Sequence, residues 1–436
     1  MENHGPRSES ARSPESAFPR APDRATAEAL RWLAGRREAM IERLRSWCQQ
    51  NSGSENLAGL RRMADRLVDD FAPLGVACQR RVTPPYTVID EQGNSESRDS
   101  GDLLLWRHAP EAAQRLLLMI HYDTVYPPPP EDADSPGEVG AAAPAACRLE
   151  SEGRLVGPGT ADAKGGLLVM REALLAVRRF ELDRGIGWTA VANPDEELGS
   201  PASGAMLPEL APQHSLGLLF EPSLPDGALV AGRMGSGNFT VVVRGRSAHA
   251  GRNPQEGRNA VILLCRLLAE IDQSGEGLAG VTVNVAQLHG GGALNRVPDR
   301  AVGRFNVRVA EPSVQAEWLG RLAALVERYR ASEGFEVELH GGFHAPPKVV
   351  DAAFGELQRR VERAAEGIGR EIAWRNTGGA SDGNRLAAAG LPNVDTLGPR
   401  GDRLHSPDEW VDVDSLVPAA QTLLLVIAHY AREARQ

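Results

Sequence analysis

The sequence predicts an α/β protein: a mixed, largely parallel sheet with helices on both faces, interrupted by a smaller inserted α+β unit. Three observations carry that expectation. Four short, continuous apolar runs, Asp102–Trp106, Leu116–Ile120, Trp188–Ala192 and Leu216–Phe220, have the composition of strands buried on both faces. A stretch with helical spacing, 164–180, lies between the second and third runs, giving the strand–helix–strand order of a parallel sheet. From about Met234 to Phe343 the pattern changes to βαββαβ, the order of a ferredoxin-like antiparallel sheet with one helical face.

Bulk properties narrow the function. At 436 residues, 42% hydrophobic and 24% charged, the chain suits two globular units with ample core. Lys and Arg total 48 against 58 Asp and Glu, a formal charge of −10, which argues against nucleic acid as a partner. No uninterrupted apolar run approaches the ~20 residues that span a bilayer, and the N-terminus has no apolar signal region, so no membrane partner is expected. Cys48, Cys78, Cys147 and Cys265 are scattered, without a CxxC pair. That usage fits a reducing cytoplasm better than a disulfide framework or a thiolate metal site.

Taken in order, residues 1–27 are rich in Ser, Pro, Arg and Glu and read as a disordered tail. One amphipathic helix is expected over 30–49, with Leu30, Leu33, Ile41, Leu44 and Cys48 on one face, and a second over 54–71. In the 164–180 helix, Leu167, Met170, Leu174 and Val177 share a face. The Pro-, Ala-, Gly- and acid-rich stretch 127–146 reads as a long surface loop. Within the inserted unit, strands are expected at 239–244, 281–287, 301–309 and 335–340, and helices at 258–271 and 313–331. The last part reads as helix 351–367, strand 371–374, helix 382–389, strand 393–397 and helix 414–434, most simply completing the first sheet. The division is therefore a catalytic part at 28–231 and 345–436, around an insertion at 232–344.

Ligands of open α/β sheets bind beyond the carboxyl ends of strands, and this chain concentrates acids there. His121 and Asp123 follow the second apolar run, Glu196 and Glu197 the third, and Glu221 the fourth; Asp162 sits in a Gly-rich turn leading into the 164–180 helix. Each alone has a bland reading: a core-edge histidine, a solvated acid pair, a helix cap. Converging on one rim, the acids would repel unless cations neutralised them. Two divalent ions with Asp162, Glu197, Glu221 and a hydroxide make a neutral set. Imidazole and carboxylate donors suit zinc, with cobalt or manganese as alternatives. Asp123, two residues past His121, is placed to receive the imidazole N–H and fix its tautomer.

These residues resemble a family. His121-Tyr-Asp123-Thr-Val-Tyr-Pro, Gly157-Pro-Gly-Thr-Ala-Asp162-Ala-Lys-Gly-Gly and Asn193-Pro-Asp-Glu196-Glu197-Leu-Gly-Ser are similar to motifs of the M20 co-catalytic metallopeptidases. Glu221-Pro-Ser, Ser247-Ala-His249-Ala-Gly, Asn295-Arg-Val-Pro-Asp and Leu404-His405-Ser-Pro-Asp continue the series in order. The 305–309 strand and the Thr377-Gly-Gly segment look most like the glutamate carboxypeptidase branch; acetylornithine deacetylase, succinyl-diaminopimelate desuccinylase and the aminoacylases belong to the same clan. The resemblance implies Asp162 as the bridge between two ions, His121 and Glu221 on one, Glu197 and His405 on the other, Glu196 as general base, and a cis Asp162–Ala163 peptide. It further implies that His249 and Asn295 bind the substrate's oxyanion or carboxylate, that Arg308 clamps a free carboxylate, and that the chain forms a homodimer through the inserted unit. The implied activity is hydrolysis of a C-terminal peptide or N-acyl amino acid bond. A biosynthetic deacylase and a non-catalytic binder of amino-acid conjugates are the alternatives.

Overall fold

The computed structural model describes residues 22–127 and 147–436. The expected 127–146 loop lies outside them apart from Pro127. The tail is shorter than expected on its described side. Helix α1 (Arg24–Ala34) starts where the Asp23 carboxylate accepts the Thr26 N–H, a cap the composition of the preceding residues hides. The single helix expected over 30–49 is two, because the chain breaks at Gly35 before α2 (Arg37–Cys48). Helix α3 (Leu57–Phe71) follows as expected.

The strands come in chain order: β1 (Cys78–Arg81), β2 (Tyr86–Ile89), β3 (Ser95–Arg98), β4 (Leu103–His108), β5 (Arg115–His121), β6 (Arg148–Leu149) and β7 (Arg154–Val156). Helix α4 (Lys164–Arg179) precedes β8 (Gly187–Asn193), β9 (Leu216–Leu219) and β10 (Leu229–Arg233). Then come β11 (Gly235–Arg244), α5 (Ala260–Gln273), β12 (Val281–Gly290), β13 (Arg300–Val309), α6 (Pro312–Arg330) and β14 (Glu336–Ala345). The chain closes with α7 (Ala352–Glu366), β15 (Trp374–Thr377), α8 (Asp382–Ala388), β16 (Asn393–Val394), β17 (Gly401–Asp402), β18 (Trp410–Asp412) and α9 (Leu416–Glu433).

The main sheet runs β1-β4-β8-β5-β9-β16. Its members from β8 to β16 are parallel, and β1 and β4 are antiparallel at one edge. This is the mixed, largely parallel sheet expected. Strand β15 departs from the expectation: it lies at 374–377 and pairs with β10 in a separate two-stranded ribbon instead of joining the main sheet. Two small sheets, β17-β18-β7-β6 and the hairpin β2-β3, are not legible in the sequence pattern.

The main core packs α1–α4, α7 and α9 against one face of the sheet, and the opposite face packs against α8 and Met206, Leu207, Leu210 and Ala211. Helix α9 is apolar and long enough to cross a membrane by composition, but it is buried in this core along most of its length. The βαββαβ segment forms its own antiparallel sheet, β12-β13-β11-β14, with α5 and α6 on one face over a separate core. Phe239 stacks on Phe305 there, and Trp318 meets Phe239 and Phe343. The opposite face of that sheet receives the tip of the β2-β3 hairpin: Arg244 donates to the Gly93 carbonyl and Arg304 to the Ile89 carbonyl.

The two crossings between these bodies lie side by side. Arg233 and Lys348 exchange backbone hydrogen bonds of 3.0 Å each way. Both side chains are buried and converge on one oxygen of Asp395, Arg233 Nε at 2.9 Å and Lys348 Nζ at 2.8 Å.

Candidate metal centre

Parallel strands deliver their carboxyl ends to one rim, and register fixes which residues meet. His121 closes β5 opposite Asn193, the last residue of β8; Met119 stands opposite Leu219 in β9, which puts Glu221 two residues further along the same edge. The turn after β8 then presents Glu196 and Glu197, and the turn ahead of α4 presents Asp162.

The distances define two donor sets sharing one carboxylate. His121 Nε2 lies 3.0 Å from Asp162 Oδ1 and 3.7 Å from Glu221 Oε2. His405 Nε2 lies 3.3 Å from Asp162 Oδ2 and 3.1 Å from Glu197 Oε2. In each set, the donor atoms fall within 4.8 Å of one another. Donors ~2.0–2.2 Å from a tetrahedral ion lie roughly 3.3 Å from each other, so the spacing suits a metal. The Asp162–Ala163 peptide is cis.

The protonation pattern points the same way. His121 Nδ1 faces the Asp123 carboxylate at 3.2 Å and its carbonyl at 3.1 Å, so Nδ1 carries the proton it donates. A neutral ring then aims the Nε2 lone pair at two carboxylate oxygens, which requires either a second proton or a cation between them. Burial works against a charged His121, but Glu221, Asp123 and Asp162 outweigh it and raise its pKa well above the ordinary value. Burial, with Asp162 adding, pushes Glu197 up to about 8, although His405 opposes it. Glu197 Oε1 is buried and has no hydrogen-bond partner among the described residues. An orphaned carboxylate oxygen, a lone pair facing carboxylates and acids driven toward protonation all fit a cation-binding role.

Glu196 lies beside this cluster without being in either donor set. Burial, then Glu221, raise its carboxyl well above the usual range, with His121 opposing. Asp123 does two jobs: besides facing His121, it accepts the Glu196 and Glu197 backbone N–H groups at 3.1 and 3.2 Å and the Ser54 hydroxyl at 2.7 Å. It thereby ties the Glu196–Glu197 turn to the β5 histidine. His405 sits in the left-handed region at φ +62°, a conformation that costs about 1–2 kcal/mol outside glycine. Hydrogen bonding to Asp162 and Glu197 raises its pKa to about 11.

A cleft of about 470 Å³ opens from this cluster, with Glu196, Glu197 and His405 on one side and Arg308, His344 and Arg385 among its other lining residues. Arg308 donates to Asn306 Oδ1 at 2.9 Å and to the Gly378 carbonyl at 3.3 Å. Burial alone lowers its pKa, since no carboxylate neutralises it among the described residues. His249 and Asn295 do not line the cleft; they stand on adjoining loops of the second sheet, where Ala250 N–H donates to the Asn295 carbonyl.

Residues 117–429, well over half the chain, match Peptidase family M20/M25/M40. The chain belongs to the M20 peptidase family. Carboxypeptidase G2 of a Pseudomonas species is 27% identical over 321 residues, covering 72% of this chain and 74% of that protein. Succinyl-diaminopimelate desuccinylase of Bordetella pertussis is 28% identical over 365 residues, covering 79% of this chain and 90% of that protein. Among solved structures, the M20 family metallo-carboxypeptidase Sso-CP2 from Sulfolobus solfataricus superposes with a TM-score of 0.69 at 17% identity, covering 90% of this chain and 99% of that one. The aminopeptidase PepT from Bacillus cereus gives 0.65 at 21% identity, with 92% and 99% covered. As an M20 protein the chain is a hydrolase of a metal-dependent family, and its two His, Asp and Glu clusters are groups that could hold a metal ion.

Sequence reasoning misses Glu409. Its buried carboxylate accepts the N–H groups of Ala161 and Asp162 at 2.9 Å and of Gly159 at 3.2 Å, and the Tyr126 hydroxyl at 2.6 Å, so it holds the turn that carries Asp162. The available signal is its position four residues after His405. Nothing in the pattern marks His344 or Arg385.

Proposed function

We propose that this chain hydrolyses the amide bond of a C-terminal peptide or N-acyl amino acid and releases an amino acid with a free carboxylate. The observation that carries the reading is Asp162, whose two oxygens each face a different histidine–glutamate set, in the same cleft as Arg308.

His121, Asp162 and Glu221 would hold one divalent ion, and Asp162, Glu197 and His405 a second, with zinc the expected metal and cobalt or manganese alternatives. Bound there, such ions lower the pKa of water toward neutrality and polarise a carbonyl. The chain's own residues do the rest. Glu196, buried beside the cluster without belonging to either donor set, takes a proton from the attacking water and returns it to the leaving amine nitrogen. Arg308 receives the substrate carboxylate in its planar fork. His249 accepts the Gly251 and Arg252 N–H groups at Nδ1, so its N–H is on Nε2, the atom we assign to the oxyanion. Because His249 and Asn295 stand outside this chain's cleft, we assign them to the neighbouring protomer's site in a homodimer built through 232–344, the unit that closes on substrate. The relative named a desuccinylase keeps a biosynthetic deacylase as the second reading.

The test loads the protein with zinc, cobalt or manganese, measures metal per chain, and assays dipeptides and N-acyl amino acids beside the same compounds with the carboxylate amidated. Two ions per chain and loss of activity on amidation are expected. Full activity in a metal-stripped protein, or indifference to amidation, overturns the reading.

A further inference from the structure

The cleft wall away from the metal cluster carries a second cationic position that the catalytic reading leaves unused. Arg385, on α8, donates Nη2 to the Gly199 carbonyl at 2.6 Å. That is one of five guanidinium N–H groups, and it is the sole hydrogen bond of that guanidinium among the described residues. Asp382 lies 3.7 Å from Nε, beyond hydrogen-bond range, and its oxygens are taken by Asn193 Nδ2 and the Ser200 hydroxyl, each at 2.6 Å. The His344 ring packs against Gly199 so closely that a Cβ there would fall 2.8 Å from Cδ2. It makes no hydrogen bond among the described residues. Burial, then Arg385 and Arg308, push its pKa down to about 4, so a neutral ring stands under the influence of both guanidiniums. Arg385 has the Asp382 carboxylate at ion-pair distance, but its remaining N–H groups, Arg308 and an imidazole without a hydrogen bond share one half-buried wall of the cleft, and a bound anion would satisfy those unused donors. The Gly199 N–H donates to the Glu196 carbonyl at 2.7 Å, which places this wall one turn from the general base.

We propose that the substrate is dianionic, with one carboxylate on Arg308 and a second anionic group held by Arg385 and His344. This rests on the hydrolase reading for the assignment of Arg308. The second anion belongs either to the side chain of the released amino acid or to the acyl group, and the chemistry recognised is the same.

The test measures binding to the full-length, zinc-loaded E196Q protein, whose slowed turnover lets binding be read before hydrolysis. The probes are N-acetyl-L-glutamate (side-chain carboxylate), N-succinyl-L-glutamine (acyl carboxylate) and N-acetyl-L-glutamine (neither). One dianionic probe should bind on the order of 10- to 100-fold more tightly than N-acetyl-L-glutamine, the worth of a charge-assisted contact. Adding R385Q should abolish that preference while leaving N-acetyl-L-glutamine binding within about threefold. Equal binding of all three, no binding of any, or an equal loss on all three in R385Q overturns the proposal; the last outcome would mean that Arg385 only braces the Gly199 turn. Should R385Q fail to fold, H344Q, whose ring has no partner to lose, carries the same comparison. Hydrolysis by the unmutated protein tests the parent reading separately. Cleavage without a dianion preference would remove the subsite alone, and a preference in binding without cleavage would remove the hydrolase reading alone.

Discussion

The crossing between the two bodies gives a quantitative test of how this fold is held. Asp395 is fully buried and its Oδ2 serves Arg233, Lys348 and, at 3.3 Å, the Ser381 hydroxyl. Burial opposes its ionisation, but Arg233 and Lys348 outweigh burial and bring its pKa to about 2. Measured against 3.8 in the unfolded chain, that depression is worth on the order of 2 kcal/mol at neutral pH. The folded pKa lies below the unfolded one, so this stability is present above pH 3.8 and is lost as pH falls toward 2. Replacing Asp395 with Asn should cost more than the linkage figure, about 3–5 kcal/mol, because it leaves the buried Lys348 without its anion and Arg233 with only the more distant Glu221 and Glu196. Lys348→Met should behave differently. Two cations share one carboxylate, so removing Lys348 leaves Arg233 and Asp395 paired and withdraws a buried ammonium. What is lost is one hydrogen bond and the cation–π contact with Phe354 at 5.6 Å. A change within about 1 kcal/mol of the unmutated protein is expected. Urea unfolding at pH 7 and pH 3 reads both variants, and the D395N deficit should shrink at the lower pH. A D395N cost below 1 kcal/mol, or K348M as damaging as D395N, would refute the assignment of Asp395 as the charge that holds the crossing.

Glu196→Gln should lower kcat by about 10²–10⁴ while metal content, read by atomic absorption, stays near that of the unmutated protein. Chelation should lower the thermal midpoint and zinc should restore it, because an ion that binds only the folded chain stabilises it by mass action; calorimetry with and without chelator checks this. Gly166→Ala should destabilise the fold strongly and weaken metal binding, since the added Cβ would fall 1.8 Å from the Phe220 carbonyl oxygen, one residue before Glu221; urea unfolding and a zinc titration read the two effects. Glu409→Gln should reduce metal affinity more than substrate affinity, seen as a rightward shift in zinc titrations at unchanged KM, because the N–H groups it holds belong to the Asp162 turn.

The fold is legible in the sequence where burial is uniform and opaque where it is not. Strands β5, β8 and β9 are buried on both faces, so they appear as unbroken apolar runs, and the parallel order follows from the helix between them. The β2-β3 hairpin offers no such signal: Ser95–Arg98 is exposed throughout and Tyr86–Ile89 only half-buried. Its register comes instead from tertiary grip, with Gly93 at φ +75° where a Cβ would fall 2.6 Å from Val242. The break at Gly35 is hidden because both flanking segments share one helical period. The pattern places β15 in the wrong sheet because four residues, two half-buried and two exposed, carry no information about which neighbour they pair with.

The site divides along the same physical line. Acids at strand ends are conspicuous, since nothing in packing explains carboxylates directly after apolar runs. His121, Asp162, Glu196, Glu197 and Glu221 therefore stand out in the amino-acid sequence itself. Residues that act by closing a distance do not stand out. Glu409 reaches the Asp162 turn across 247 positions, and Arg385 reaches Gly199 across 186; each is an ordinary charged residue on its own element. Arg308 falls between these cases: its place on a period-two strand marks a face, but only the cleft shows that the face looks toward the cluster with no carboxylate among the described residues to neutralise it. A metal centre thus announces itself by concentrating like charge. The groups that choose a substrate are spread over several elements and acquire meaning only when those elements meet, which is why the unneutralised guanidinium on the cleft wall, more than any motif, directs the search for what this enzyme cleaves.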